Sequence, residues 1–323
     1  MNGKEEYNKY MEERAMKVIN DNKDKPYLEG YYYYALSSLT YSSAFAYLFY
    51  VSQFLNDINI MDIKEINIDA YTRYMYKIHN MSSSHRIAVY SELKKFSKYL
   101  KANGLCDDYM QFISKPKFFE TQETKDKREK GYLTKSEAKK VVNNVGKGKK
   151  NNKSEFWKLR DEVVIHIFLN TGIRCAALFK LDCKDIDIEN KTINVFEKGE
   201  KARKIDLNDK TINIIEKYIA CRKKYLGSVE ESALLISQSK SRLGLQGIRA
   251  IVKRVAEPIE DKNITPHKLR ATYGTQLYSK THDIHFVQNC MGHSSSSVTE
   301  RYIRGQKNEY SKKAATLMEN FLD

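Results

Sequence analysis

Apolar residues recur at helical intervals along most of this chain. Tyr7, Tyr10, Met11 and Val18 share one side of a short helix within the first twenty or so residues. An aromatic-rich stretch from Ser38 to Leu55, closed by Asn56-Asp57, predicts a longer helix, and Ile68–Ile78 predicts the next. Met81-Ser82-Ser83-Ser84 offers hydroxyl caps for a helix running through Leu100, with Asn103-Gly104 as its stop. Along it Ile87, Val89, Tyr90, Leu93, Phe96 and Leu100 form a stripe that asks to be buried. Lys94, Lys98 and Lys101 fall together on another face, which is either solvated or laid against a nucleic-acid backbone.

The apolar period is lost from residue 115 to 132, a charged stretch that reads as a linker. It resumes after Leu133, where Thr134 and Glu137 have capping-box spacing. Trp157 to Asn170 predicts an apolar helix. Thr192–Phe196 and Lys204–Leu207 read as strands joined by Lys198-Gly199-Glu200-Lys201-Ala202. Helices are predicted over 210–224, 245–255, 266–278 and 284–291, and an amphipathic segment, Ser311–Leu322, ends the chain. The fold class is therefore mainly α with a small antiparallel β-sheet (α+β). Its parts are an N-terminal extension (1–30), a helical domain (31–114), a basic linker (115–130) and a second domain (131–323) with a tail helix over about 311–322.

Composition narrows the partner. The 323 residues are 41% hydrophobic, enough for two packed cores, and no apolar run is long enough to span a bilayer. With no signal-like leader, the expectation is a soluble, intracellular protein. The five cysteines are scattered, with no zinc-like spacing, so reduced thiols and no metal are expected. Tyr31–Tyr34, within a total of 23 tyrosines, reflects a composition rich in Lys, Asn, Ile and Tyr more than a base-stacking platform. The formal charge of +15 is uneven: residues 1–114 carry 14 basic and 14 acidic groups, whereas 115–150 carry 12 and 5. Residues 151–323 add 30 and 22, so the positive excess lies in the linker and second domain, which points to a polyanion such as DNA.

The chemistry lies in three short runs: Thr171-Gly172-Ile173-Arg174, Thr265-Pro266-His267-Lys268-Leu269-Arg270, and Gly292-His293 followed by Tyr302. Planar guanidinium groups donate paired hydrogen bonds to phosphate oxygens and stay charged, which makes Arg174 and Arg270 a candidate phosphate clamp. A phenol can attack phosphorus and hold the strand covalently, conserving bond energy for rejoining. Imidazoles titrate in a range suited to proton traffic.

In this order and spacing the runs resemble the tyrosine recombinase (phage integrase) family, from about residue 35 to the C-terminus. The resemblance implies that Tyr302 is the nucleophile forming a 3′-phosphotyrosine. It also implies that Arg174 and Arg270 clamp the phosphate, His267 and His293 assist, and Lys198 in the hairpin is the general acid. No metal or cofactor is implied. Lys94, Lys98, Lys101, Lys201 and Arg203 are the candidate DNA contacts. The implied architecture is a C-shaped clamp of a helical core-binding domain and a tyrosine-recombinase catalytic domain around double-stranded DNA. Four protomers assemble on two sites, the tail docking on a neighbour, with accessory proteins as possible further partners; the setting is the cytoplasm, at the nucleoid.

Three positions depart from the family's pattern. Ala177 stands where an acidic residue usually buttresses the first arginine, Ala271 where a histidine often follows the second, and Ile205-Asp206-Leu207 replaces a common Val-Pro-Leu. Alternatives are a catalytically silent DNA-binding protein or a type IB topoisomerase. The short N-terminal segment tilts the reading toward a simple Xer-like or mobile-element enzyme, and chromosome resolution, phage integration and transposition all remain open to it.

Overall fold

The computed structural model describes residues 3–119, 131–147, 155–196, 202–260 and 262–292. Lys198, Lys201, His293, Tyr302 and the 311–322 segment lie outside these residues. The chain divides into two compact units, Glu5–Gln122 and Glu123–Asp323, the latter joined by Met1–Lys4.

The first unit contains α1 (Gly3–Asn20), α2 (Tyr27–Leu36), α3 (Tyr41–Asp57), α4 (Ile68–Lys77) and α5 (Ser83–Ala102). Side chains cap the helix starts where the sequence supplies acceptors. Thr40 accepts from the Ser43 amide, Asn67 from that of Ala70, and Ser82 from that of His85, each satisfying a donor that the first turn cannot pair. Leu48, Phe54, Tyr71, Leu93 and Phe96 are fully buried, and the Phe54 and Tyr71 rings stack at 4.9 Å.

Residues between 5 and 30, which the sequence suggested as part of an extension, contribute side chains to the core of this unit. Met11 and Ala15 from α1, and Leu28, Tyr31, Tyr32 and Ala35 from α2, enter the same core as α3 to α5. Charged residues between these positions dilute the apolar stripe of α1, which hides its period. The tyrosine run divides by helix geometry: Tyr31 and Tyr32 are buried, whereas Tyr33 and Tyr34 are about half exposed.

In the second unit the Thr134–Glu137 capping box opens α6 (Lys135–Asn143). Helix α7 (Glu155–Thr171) is buried on most sides, through Phe156, Leu159, Val163, Val164, Ile167 and Phe168 among others. It is the central helix. Around it pack α9 (Asp209–Leu226), α10 (Leu245–Val255) and α11 (Pro266–Thr281). The short α8 (Cys175–Lys180) follows α7, and α12 (Ile284–Met291) is the last described helix.

Between α8 and α9 lies an antiparallel sheet in the order β1-β2-β3: Ile186–Asp187, Thr192–Phe196 and Ala202–Asp206. Val195 pairs with Arg203 and Ile193 with Ile205. The two-residue β1 was not visible in the sequence, being too short for any alternation. Asn208, Thr265 and Asp283 cap α9, α11 and α12, and Pro266 sits in the first turn of α11, where its missing N–H costs nothing. No described helix is long and apolar enough to cross a membrane.

Candidate active site

Three of the six positions that the sequence singles out for chemistry, Arg174, His267 and Arg270, lie within the described residues, and the fold brings their segments together. Helix α7 ends at Thr171, whose hydroxyl donates back to the Ile167 carbonyl at 2.6 Å. Gly172 then turns left-handed at φ +59°, and its N–H donates to the Phe168 carbonyl at 3.1 Å. A Cβ here would stand 2.3 Å from Cδ1 of Tyr273, so the turn needs glycine for a second reason. Ile173 is fully buried and pins the turn, leaving Arg174 half-buried as the N-cap of α8.

The far end of α8 is held by Arg242. Its guanidinium donates to the Phe179 and Leu181 carbonyls at 2.9 and 3.1 Å and to Asp182 at 2.5 Å. Burial pulls the Arg242 pKa down to about 10, still a cation at neutral pH. Ala177 is only 3% exposed, beside buried Leu178 and Phe179. The position of the missing acid is thus buried, where alanine leaves no uncompensated charge.

Arg270, on α11, is 3% exposed. Its Nη1 donates to the Gly172 carbonyl and its Nη2 to the Met291 carbonyl, the latter at 2.7 Å. One guanidinium therefore ties the Gly172–Arg174 turn to the end of α12. His267, one turn earlier on α11, is exposed, and Lys268 beside it has its pKa lowered by burial and then by Lys262. Ala271, another of the departures, is buried at 9% exposure.

Helix α12 ends in a left-handed Gly292 whose N–H serves the Gln288 and Asn289 carbonyls. Arg203, on β3, donates through Nη1 to the Cys290 carbonyl, and Arg270 takes that of Met291. All four carbonyls that a helix leaves unpaired at its C-terminus are thus supplied with donors, two of them cationic and placed at the negative end of the helix. The residue that follows this capped end is His293.

Sequence reading assigned Arg203 to DNA; the structure places its guanidinium on a protein carbonyl. It missed Tyr273 altogether. That half-buried side chain packs under Gly172, and burial, aided by Cys290 and opposed by Arg203 and Arg270, pushes its hydroxyl up to about 12. The position three residues after Arg270 was the only sequence signal for it. Lys94 is half-buried and Lys98 and Lys101 are exposed on α5, in the first unit. All five cysteines are free thiols, and no cluster of three His, Cys, Asp or Glu among the described residues could hold a metal ion.

His166 lines a cleft of about 730 Å³ with Asn170, Asn208, Thr272 and Tyr273. Burial, and secondarily Lys210, lower its pKa from 6.5 to about 4. The folded protein therefore refuses a proton that the unfolded chain accepts, so stability is full above pH 6.5 and falls as pH drops toward 4. Between about pH 7.5 and about pH 5 the expected loss from this group is roughly 1–2 kcal/mol, allowing for partial solvation. Urea unfolding followed by the fluorescence of Trp157, the single tryptophan, measures it; His166→Met should flatten the acid limb. An unchanged limb would mean that other groups set it.

Residues 131–309, more than half of the chain, match the Phage integrase family. Among curated proteins, tyrosine recombinase XerC of Caldanaerobacter subterraneus subsp. tengcongensis is 29% identical over 256 residues, covering 77% of this chain and 67% of that protein. XerC of Treponema denticola is 32% identical over 158 residues, covering 45% of this chain and about half (52%) of its relative. Among solved structures, XerH recombinase bound to a palindromic difH substrate superposes with a TM-score of 0.69 at 21% identity, covering 95% of this chain and 88% of that one. A lambda integrase dimer bound to a COC′ core site gives 0.62 at 14% identity, covering 86% and 94%. These two likenesses carry the fold; the family match carries membership. On that match this chain belongs to the phage integrase family, the tyrosine recombinases.

Proposed function

We propose that this tyrosine recombinase cleaves and rejoins double-stranded DNA at specific sites through a covalent intermediate. The observation that carries the reading is Arg270: a single buried guanidinium joins the turn bearing Arg174 to the helix end preceding His293. Motifs roughly a hundred residues apart in sequence thus meet at one point, which is what preorganised stabilisation of phosphoryl transfer requires.

In the proposed reaction the Tyr302 oxygen attacks phosphorus as its phenolic proton leaves, with His267 assisting. The P–O5′ bond breaks, and Lys198 protonates the departing 5′ oxygen. Arg174, Arg270 and His293 neutralise the non-bridging oxygens as charge builds. Attack of a 5′-hydroxyl on the 3′-phosphotyrosine reverses the steps and joins a new strand without ATP. Lys94, Lys98 and Lys101 on α5, with Lys201, neutralise backbone phosphates and make binding salt-dependent. Assembly of four protomers through the 311–322 segment, with or without accessory proteins, belongs to the same proposal. So does a setting at cytoplasmic DNA. Ala177 is buried, so alanine leaves no unpaired charge there, and the departure does not by itself favour a silent DNA-binding protein.

The test is covalent trapping. Duplexes selected by the protein from a random pool, rebuilt with a nick that lets the cleaved strand diffuse away, should yield a protein–DNA adduct. Peptide mapping should find the 3′-phosphate on Tyr302. Tight, selective binding with no adduct, or an adduct on another residue, would overturn the assignment.

A further inference from the structure

Two helix starts open onto the cleft beside His166. Thr134 and Lys135 begin α6, Asn208 and Lys210 begin α9, and all four residues line it. A helix leaves its first amides without intrahelical partners and carries partial positive charge at that end. Lys139, one turn beyond Lys135 on α6, lines the cleft as well. Lys210 is close enough to His166 to lower its pKa. The single carboxylate among the described lining residues, Asp209, is already bonded to Lys191 at 2.7 Å. The lining therefore carries an excess of positive charge.

His166 makes this more than a basic surface. The residue is 6% exposed, yet its Nδ1 is buried without a hydrogen-bond partner. Such groups are rare in folded chains, because each forfeits a bond that water supplies to the unfolded chain. With a pKa of about 4 the ring is neutral at physiological pH, able to accept one hydrogen bond and donate another. Val142 and Leu169 add apolar surface to the same lining, and about 730 Å³ is the volume of a small-molecule site. Arg174 and Arg270 are not among the residues that line it. We infer that this cleft binds a small organic anion. Its carboxylate or phosphate is held by the two helix starts and Lys210, a polar atom meets His166, and an apolar body lies on Val142 and Leu169. The site is separate from the phosphate clamp and stands or falls independently of the proposed DNA cleavage.

Phenyl phosphate and benzoate are the probes, with benzyl alcohol as the uncharged control. Each is titrated into the full chain carrying isotope-labelled histidine, and the imidazole signals are followed by NMR at neutral pH. His166→Met identifies the His166 signal among the seven histidines. Both anions should move that signal saturably, with a Kd on the order of 1 mM, the affinity of a fragment-sized ligand. Lys210→Ala should weaken binding roughly 5-fold, the scale of one exposed cation at an anion site, and the pair Lys135→Ala and Lys139→Ala at least as much. Arg174→Ala should leave it unchanged, since Arg174 does not line the cleft. Benzyl alcohol at the same concentrations should leave the His166 signal in place.

A response to one anion alone supports the site and tells whether it takes carboxylate or phosphate. No movement of the His166 signal with either anion at about ten times the expected Kd would overturn the inference. So would an equal movement with benzyl alcohol, which would make the cleft an apolar pocket only. Binding that Arg174→Ala abolishes and the lysine variants spare would place the anion on the phosphate clamp and overturn it too. All three lysines are exposed, so their removal should leave the second unit folded, which thermal unfolding of each variant checks. If one lysine variant unfolds, the other decides.

Discussion

Arg270→Ala is expected to abolish adduct formation and to destabilise the second unit at the same time, whereas Arg174→Ala removes the chemistry and leaves stability near wild type. The difference follows from burial. Arg270 is 3% exposed and donates to the carbonyls of Gly172 and Met291, while Arg174 is half-buried at the start of α8. Removing Arg270 leaves two carbonyls without those donors, at roughly 1–3 kcal/mol each. A loss of about 2–5 kcal/mol is expected, which for a unit of this size is roughly 5–15 °C in Tm. Catalysis should fall by at least about 10²–10³-fold in either variant, the usual scale for deleting one preorganised donor.

Trp157 reports the unfolding, since its ring meets those of Phe156 and Tyr225 edge-on and lies under the Arg160 guanidinium at 4.4 Å. Arg270→Lys keeps the charge but replaces a fork by a single point, so it should recover little of either property. Equal Tm losses in Arg174→Ala and Arg270→Ala would sink the distinction. So would wild-type stability in Arg270→Ala.

Much of this arrangement was legible in the sequence because it is written locally. The caps at Ser82 and Thr134 are fixed by neighbours three residues away, and each closes a helix start in the structure. The motif arginines stand out in the sequence because guanidinium, imidazole and phenol in that order suit phosphoryl transfer. What escaped is non-local. Arg203 and Cys290 are 87 positions apart, and no pattern around either one announces the other. A basic residue on a strand gives no sign in sequence of the protein carbonyl it also serves. The core role of Tyr31 and Tyr32 was obscured by two exposed tyrosines beside them, since a run of four identical residues has no period to read. Ala177 shows the converse. A departure from a family's pattern looks like a defect in sequence, yet the position is buried and alanine leaves no unpaired charge there.

Gly172→Ala is expected to be among the most damaging single substitutions outside the reacting groups. The left-handed backbone at φ +59° costs an L-residue roughly 1–2 kcal/mol. A methyl 2.3 Å from Tyr273 Cδ1 must also displace the ring or the turn, adding about 1–3 kcal/mol as overpacking. If the turn moves, the Gly172 carbonyl leaves Arg270 and Arg174 shifts with it, so adduct formation should fall about 100-fold even in the protein that stays folded. The two contributions can be separated, because only the steric one involves Tyr273. Tyr273→Leu in the Gly172→Ala background should remove the clash and leave the backbone cost. The double variant is then less destabilised than the sum of the singles, by about 1–2 kcal/mol in a double-mutant cycle. Strict additivity would show that the ring does not set the glycine requirement. In that case the left-handed turn alone, inherited from the end of α7, would hold Arg174 in place.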